Sequence, residues 1–188
     1  MLNITIGAIA VGYYNFLAQH NIGLLNILKL NGLTNIVVSL IVLDLITYLR
    51  HRAYHEVPLI WRLHRARHSD LDLDVSSASR FHPGEGVSSA LFKISVGLAL
   101  GPSTIAVAVH EAALLPAPQF NHTNVQIPKP SEGIVRAVPV NPDMHRIHHS
   151  DTIIQTDSNY SNLFSVWDRL FGTYTELENQ NKISIGLR

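Results

Sequence analysis

The chain has 188 residues, 46% hydrophobic and 15% charged, with 11 histidines and no cysteine. That length suits one domain at about 100–200 residues per domain, and the charged share lies well below the roughly 25% of soluble domains. The lack of cysteine excludes disulfides, thiolate zinc sites, iron–sulfur clusters and a cysteine nucleophile. With 14 Lys+Arg against 14 Asp+Glu there is no basic field for nucleic acid.

The charges are unevenly spread. Up to Leu43 the one charged residue is Lys29. A water-soluble helix needs a polar face, which the uncharged stretches 1–28 and 30–43 do not supply. Such runs are long enough to cross a bilayer, and with no Lys or Arg ahead of Lys29 they do not read as a secretory signal. Residues 32–55 read as one helix that continues out of the membrane and stops before Pro58, since a proline disfavours helix in the residue ahead of it. Arg50, Arg52, Arg62, Arg65 and Arg67 crowd behind the span at 36–49, which places that end on the cytoplasmic side.

Residues 59–69 read as helical and the acidic stretch 70–74 as loop. The second apolar region, 87–115, is broken near Gly101 and Pro102. Its uncharged centre, 94–109, suits a span, a re-entrant hairpin or a buried helix. Pro116, Pro118, Pro128, Pro130 and Pro139 mark a turn-rich connection over 116–142. Asn141, Pro142 and Asp143 open a further helix with an N-cap, a first-position proline and an acid in the first turn. Residues 162–174 have apolar positions at helical spacing and end at Gly172. The expected fold is all-α: integral membrane helices with a cytoplasmic, histidine-rich helical cap, in one domain over 1–188.

Histidine spacing carries the chemistry. His51 and His55 are four apart, so they share a helix face and can close on one ion. His64 and His68 repeat the spacing, and His145, His148 and His149 stand at i, i+3 and i+4. Seven of the 11 histidines thus fall into three groups. A lone pair of this kind is usually a helix surface or a satisfied buried histidine, but three groups point to metal. Imidazole suits iron, copper, nickel and zinc alike, so the ligands alone do not name the ion. Spacing excludes a His-Glu-x-x-His zinc site, because neither His55-Glu56 nor His110-Glu111 is followed by the second histidine. A P-loop, a dinucleotide glycine loop and a Gly-x-Ser-x-Gly elbow are also absent.

The order HRAYH (51–55), IWRLHRARHSD (60–70), RFHPGE (80–85), FNHTN (120–124), NPDMHRIHHSD (141–151), TDSNY (156–160) and SVWDRLFGTY (165–174) resembles the fatty acid hydroxylase / sterol desaturase superfamily over about residues 36–174. The resemblance implies an integral membrane oxygenase. It would bind two metal ions, iron with zinc as a substitute in purified forms, and use O2 with electrons from a separate donor protein to hydroxylate or desaturate a lipid. It also implies metal ligands at His51, His55, His64, His68, His82, His122, His145, His148 and His149. Asp157 and Asn159 would orient ligands from behind. His20 and His110 match no motif of the family and read as structural, and Trp167, Asp168 and Phe171 as packing residues. Asp70, Asp151 and Asp157 are acids that could balance the cluster.

One departure stands out. The family's second box usually reads His-x-x-His-His, and here Arg67 takes the place of a histidine. A guanidinium stays protonated and has no lone pair for a metal. This keeps open a catalytically impaired relative of the same fold; the other alternative to an active oxygenase is a membrane metal-binding or transport protein whose histidines line an ion path.

Overall fold

The structure, a computed structural model, describes residues 2–177 and 183–187. Its helices in chain order are α1 (Leu2–Gln19), α2 (Leu24–Ile27), α3 (Gly32–Glu56), α4 (Pro58–His64), α5 (Pro83–Leu100), α6 (Thr104–Leu114), α7 (Pro116–Asn121), α8 (Lys129–Ala137), α9 (Pro142–His148), α10 (Ile153–Thr156) and α11 (Val166–Leu170). Short 3-10 turns occupy Arg65–His68 and Ser77–Ser79. Among the described residues no strand forms; two isolated antiparallel bridges join Pro139 to Phe164 and Ser150 to Ile185. The expected all-α class holds.

The chain divides into two compact units, Met1–Leu43 with Val87–Ala112, and Asp44–Gly86 with Ala113–Arg188. The first is apolar. Tyr14, Leu17, Leu43 and Val107 form its buried cluster, with Tyr13, Ile22 and Val96 packed on it. Polar groups are matched locally: Thr104 Oγ1 donates to Asn15 Oδ1 at 2.8 Å and the Ser103 N–H to Ser39 Oγ at 3.0 Å.

One expected span is interrupted, and the second apolar stretch breaks where its sequence indicated. The uncharged start is not one helix, because the chain turns after Gln19 through Asn21 (φ 51°) and Gly23 (φ 96°) before the single turn of α2. The stretch 94–109 is likewise divided into α5 and α6. Gly101 sits at φ 58°, a conformation that favours glycine, and the following Pro102 cannot continue the helix. The helix that stays continuous is α3. Its 25 residues are about 37 Å long at 1.5 Å per residue, enough for a hydrocarbon core of about 30 Å. It alone among the described helices is long and apolar enough to cross a membrane, and 22% of its most apolar window is buried. A core helix would hide most of that window. Instead Leu33, Val37 and Ile41 form an exposed stripe at i, i+4 and i+8.

The second unit holds nearly all the histidines. Pro58 starts α4 directly after α3, so the two histidine pairs of 51–68 follow one another around a tight corner. Asn141 caps α9 as expected, its Oδ1 accepting the Met144 N–H at 2.9 Å. The connection 116–142 is more regular than its prolines suggest. Pro116 and Pro130 fall in the first turns of α7 and α8, where a missing N–H costs nothing. The helix expected over 162–174 shrinks to the five residues of α11, since the backbone of Leu163–Ser165 pairs with that of Val138–Val140 ahead of it and Gly172 at φ 71° follows it.

A Cβ built on Gly23 would lie 2.3 Å from the Gly101 amide nitrogen. Gly23→Ala is therefore expected to destabilise the protein by at least about 2 kcal/mol, from backbone strain plus the clash. A thermal midpoint in detergent equal to that of the wild type would contradict this close approach.

Candidate metal centre

His51 and His55 lie one turn apart at the end of α3. His64 ends α4, His68 ends the 3-10 turn behind it, and His122 follows α7. His145 and His148 lie in α9 with His149 as its C-cap. These side chains are buried, with His122 and His148 at 0% exposure. They form two groups, His51, His55, His64, His68 and His148, and His122, His145 and His149. Within each, one nitrogen per ring lies within 4.8 Å of the others. The groups adjoin where His68 stacks on His149 with ring centroids 4.2 Å apart.

The i, i+3, i+4 triad of α9 is divided between them. At 3.6 residues per turn His149 points only about 40° round from His145, whereas His148 lies about 60° away on the other side. His82 belongs to neither group. It is exposed, and its Nδ1 accepts the Gly84 N–H at 3.0 Å. His20 is exposed against the Phe16 carbonyl, and His110 is buried within α6 of the apolar unit.

The hydrogen bonds settle several tautomers. His51 Nδ1 lies 2.6 Å from the Tyr160 carbonyl and His148 Nδ1 2.7 Å from that of Ser158. His64 Nδ1 lies 3.1 Å from Glu85 Oε1 and His55 Nδ1 3.2 Å from Asp157 Oδ1. Carbonyls and carboxylates only accept, so Nδ1 carries the proton in all four rings. Ser77 Oγ donates to the Asp74 carbonyl at 2.7 Å, so at His122, 2.8 Å away, it accepts from Nδ1. In these rings Nε2 is left as a lone pair. The Nε2 atoms of His55, His122 and His148 and both nitrogens of His68 are buried without a hydrogen-bond partner among the described residues. His51 Nε2 and His64 Nε2 lie 3.2 Å apart as two facing lone pairs. Facing lone pairs repel unless a cation lies between them, so these donors fit a metal ion.

A further layer holds the acceptors. The Asp168 carboxylate, at 0% exposure, accepts the N–H groups of Tyr160 (2.8 Å) and Ser161 (3.0 Å) and the Thr173 hydroxyl (2.7 Å). It thereby fixes the carbonyl that orients His51, a larger part than packing. Trp167 Nε1 donates to Asp44 Oδ2 at 2.7 Å, and Phe171 stacks on Tyr48. Asp157 reaches His55 directly, but Asn159 serves the backbone. It donates to the carbonyls of Met144 and Thr175 and accepts the Thr175 N–H, tying the loop to α9. Asp70 pairs with Arg80, and Asp151 Oδ1 accepts the Thr152 hydroxyl. Sequence reading missed Glu85 and Ser77. Glu85 lay in the RFHPGE stretch, three residues beyond the histidine chosen from it; Ser77 carried no signal.

Among the described residues the chain is all helical, with two groups of imidazoles that could hold metal and one helix long and apolar enough to cross a membrane. The fatty acid hydroxylase family model matches residues 36–173, and the chain belongs to that family. It is 32% identical over 147 residues to alkylglycerol monooxygenase of Homo sapiens, covering 74% of this chain and 30% of that protein. To the Danio rerio alkylglycerol monooxygenase it is 31% identical over 152 residues, 77% of this chain and 31% of that one. To the ornithine lipid hydroxylase OlsE of Rhizobium tropici it is 29% identical over 156 residues, 81% of this chain and 45% of that one. The chain thus spans less than half the length of each of these relatives. No solved structure is significantly similar to it.

Burial dominates the electrostatics. It lowers His64 and His122 to about 4, the Glu85 hydrogen bond opposing the shift at His64 and the Arg67 charge adding to it at His122. Burial and mutual repulsion hold His68, His145, His148 and His149 well below the ordinary imidazole value. His64 is therefore neutral at pH 7, and its contact with Glu85 is an N–H donated to a carboxylate rather than an ion pair. Burial opposes ionisation of Glu85, but that hydrogen bond and the charges of Arg67 and Arg50 hold it below the usual range. The depressed histidines stabilise the fold fully above the unfolded value of about 6.5, and that contribution is lost as the pH falls toward about 4. The metal-free protein is expected to lose thermal stability progressively over that window. A midpoint independent of pH between about 7 and 4.5 would contradict the burial of neutral imidazoles.

Proposed function

We propose that this chain carries the catalytic centre of a membrane-bound, O2-dependent lipid hydroxylase. The observation supporting it is the pair of adjoining imidazole groups, five of whose eight rings turn the Nδ1 proton outward and the lone pair inward, in a chain of this family. Two iron ions bound there would supply the oxidising power that an unactivated C–H bond requires and that side chains lack. His51, His55, His64, His68 and His148 would hold one ion, and His122, His145 and His149 the other. His82 is required by neither group. Tyr160, Ser158, Glu85, Asp157 and Ser77 orient the ligands through their Nδ1 protons, and Glu85 and Asp157 add negative charge beside a neutral ligand set. Asn159 positions α9 from the loop.

The lipid enters sideways from the bilayer along the apolar face of α3. The relatives' names, alkylglycerol monooxygenase and ornithine lipid hydroxylase, suggest a substrate with a polar head and a long alkyl or acyl chain. The arginines behind α3 favour the cytoplasmic side for the histidines, where a separate protein would deliver electrons. The whole chain acts as one hydroxylase domain. Arg67 favours a second reading, an impaired relative of the same fold, which the same assay distinguishes.

Membranes containing the protein, supplied with O2 and a reducing system, are expected to yield a lipid one oxygen atom heavier, detected by mass spectrometry with 18O2. His148→Ala should insert normally yet lose bound iron and product together. Wild-type iron content in that variant would overturn the ligand assignment, and an iron-loaded wild type without product from these lipid classes would favour the impaired relative. Glu85→Gln should keep the fold and lower metal affinity about 10–100-fold, as loss of a ligand-orienting carboxylate does; unchanged affinity would remove Glu85 from the site.

A further inference from the structure

The two histidine groups are unequal in ways this chain's own residues create. One offers five imidazoles and the other three. Arg67 lies between His64 and His68 in sequence and is tethered to the smaller group's support. Its guanidinium donates to the Ala78 carbonyl at 3.1 Å, and Ala78 follows Ser77, the residue that accepts the His122 proton. The guanidinium is also 3.8 Å from Glu85 Oε1, the oxygen bonded to His64. The Glu85 carboxylate is thus committed to the five-histidine group, while the permanent positive charge of Arg67 is tethered through Ala78 next to Ser77, whose N–H the Asp74 carboxylate accepts at 3.0 Å. A cation entering that group would meet fewer donors and an opposing field.

We infer that the two groups bind divalent metal with unequal affinity, the five-histidine group filling first, and that Arg67 limits occupancy of the three-histidine group. Singly loaded protein is then the principal form at low metal, and the second site keeps positions open to ligands from outside the chain. The inference rests on reading the histidines as metal ligands.

The test is titration of the metal-stripped, detergent-solubilised full chain with Co(II), followed by calorimetry and by metal analysis after gel filtration. The expected result is one tight equivalent and a second at least about tenfold weaker. His145→Ala should remove only the weak phase and His51→Ala chiefly the tight one. Arg67→Met keeps the aliphatic stem without the charge and should narrow the gap severalfold. Arg67→His should narrow it further by adding a donor. Arg67→Lys keeps the charge without the planar guanidinium, and should preserve the gap if charge rather than folding sets it. Two equal equivalents in the wild type, or an affinity ratio that Met and His at this position leave unchanged, would overturn the inference while leaving a metal centre intact. No cobalt bound by folded wild type would instead overturn the reading of the histidines as ligands.

Discussion

A neutral imidazole carries one proton and one lone pair, and burying several together is tolerable only if each proton has somewhere to go. In this protein most of them go outward. The carbonyls of Tyr160 and Ser158, the carboxylates of Glu85 and Asp157 and the hydroxyl of Ser77 take five of them, and the lone pairs face one another inside. Each acceptor lies on a different stretch of chain from the ring it serves, so the outward bonds fasten loops to helices. Removing an acceptor would leave a buried N–H unpaired and free the ring to turn, at a cost of about 1–3 kcal/mol before any effect on chemistry.

The acceptors depend on a second layer in turn. Asp168 is wholly buried, and burial pushes its carboxyl upward against the hydrogen bonds that favour its charge. It endures there because the N–H groups of Tyr160 and Ser161 and the hydroxyls nearby satisfy it. Asn159, at φ 51°, holds the same loop against α9 through the Met144 carbonyl. A short segment, 157–161, therefore serves both the α3 histidines and the α9 histidines. Helix α3 joins this chemistry to the apolar part of the chain: its first turns carry Leu33, Val37 and Ile41, and its last turn carries His55.

Much of this was legible beforehand. Patterns set by neighbours along the chain survive folding, so the long apolar helix, the Asn141 cap and the paired histidines on successive turns all lie where spacing put them. The family motifs indicated which histidines to suspect. The break at Gly101 and Pro102 was legible too; less so was the one in the first apolar stretch. Residues 1–28 divide at Asn21 and Gly23, and the Gly101 backbone passes Gly23 too closely for any side chain. The extent of α11 was overestimated for a similar reason, since the backbone of Leu163–Ser165 pairs with that of Val138–Val140 rather than along a helix.

The amino-acid sequence by itself determined the all-helical class, the apolar face of α3 and the chemical character of the site, because helix period and side-chain type are properties of short stretches. Only the tertiary structure decided how the histidines are shared. It sent His148 to one group and its neighbour His149 to the other, left His82 outside both, brought in Glu85 and Ser77 as proton acceptors, and set Arg67 beside the support of the smaller group. Those choices depend on the direction of each ring and on contacts between residues tens of positions apart, as between His51 and Tyr160, separated by 109 residues. Spacing along one helix does not encode them; the packing of several helices does.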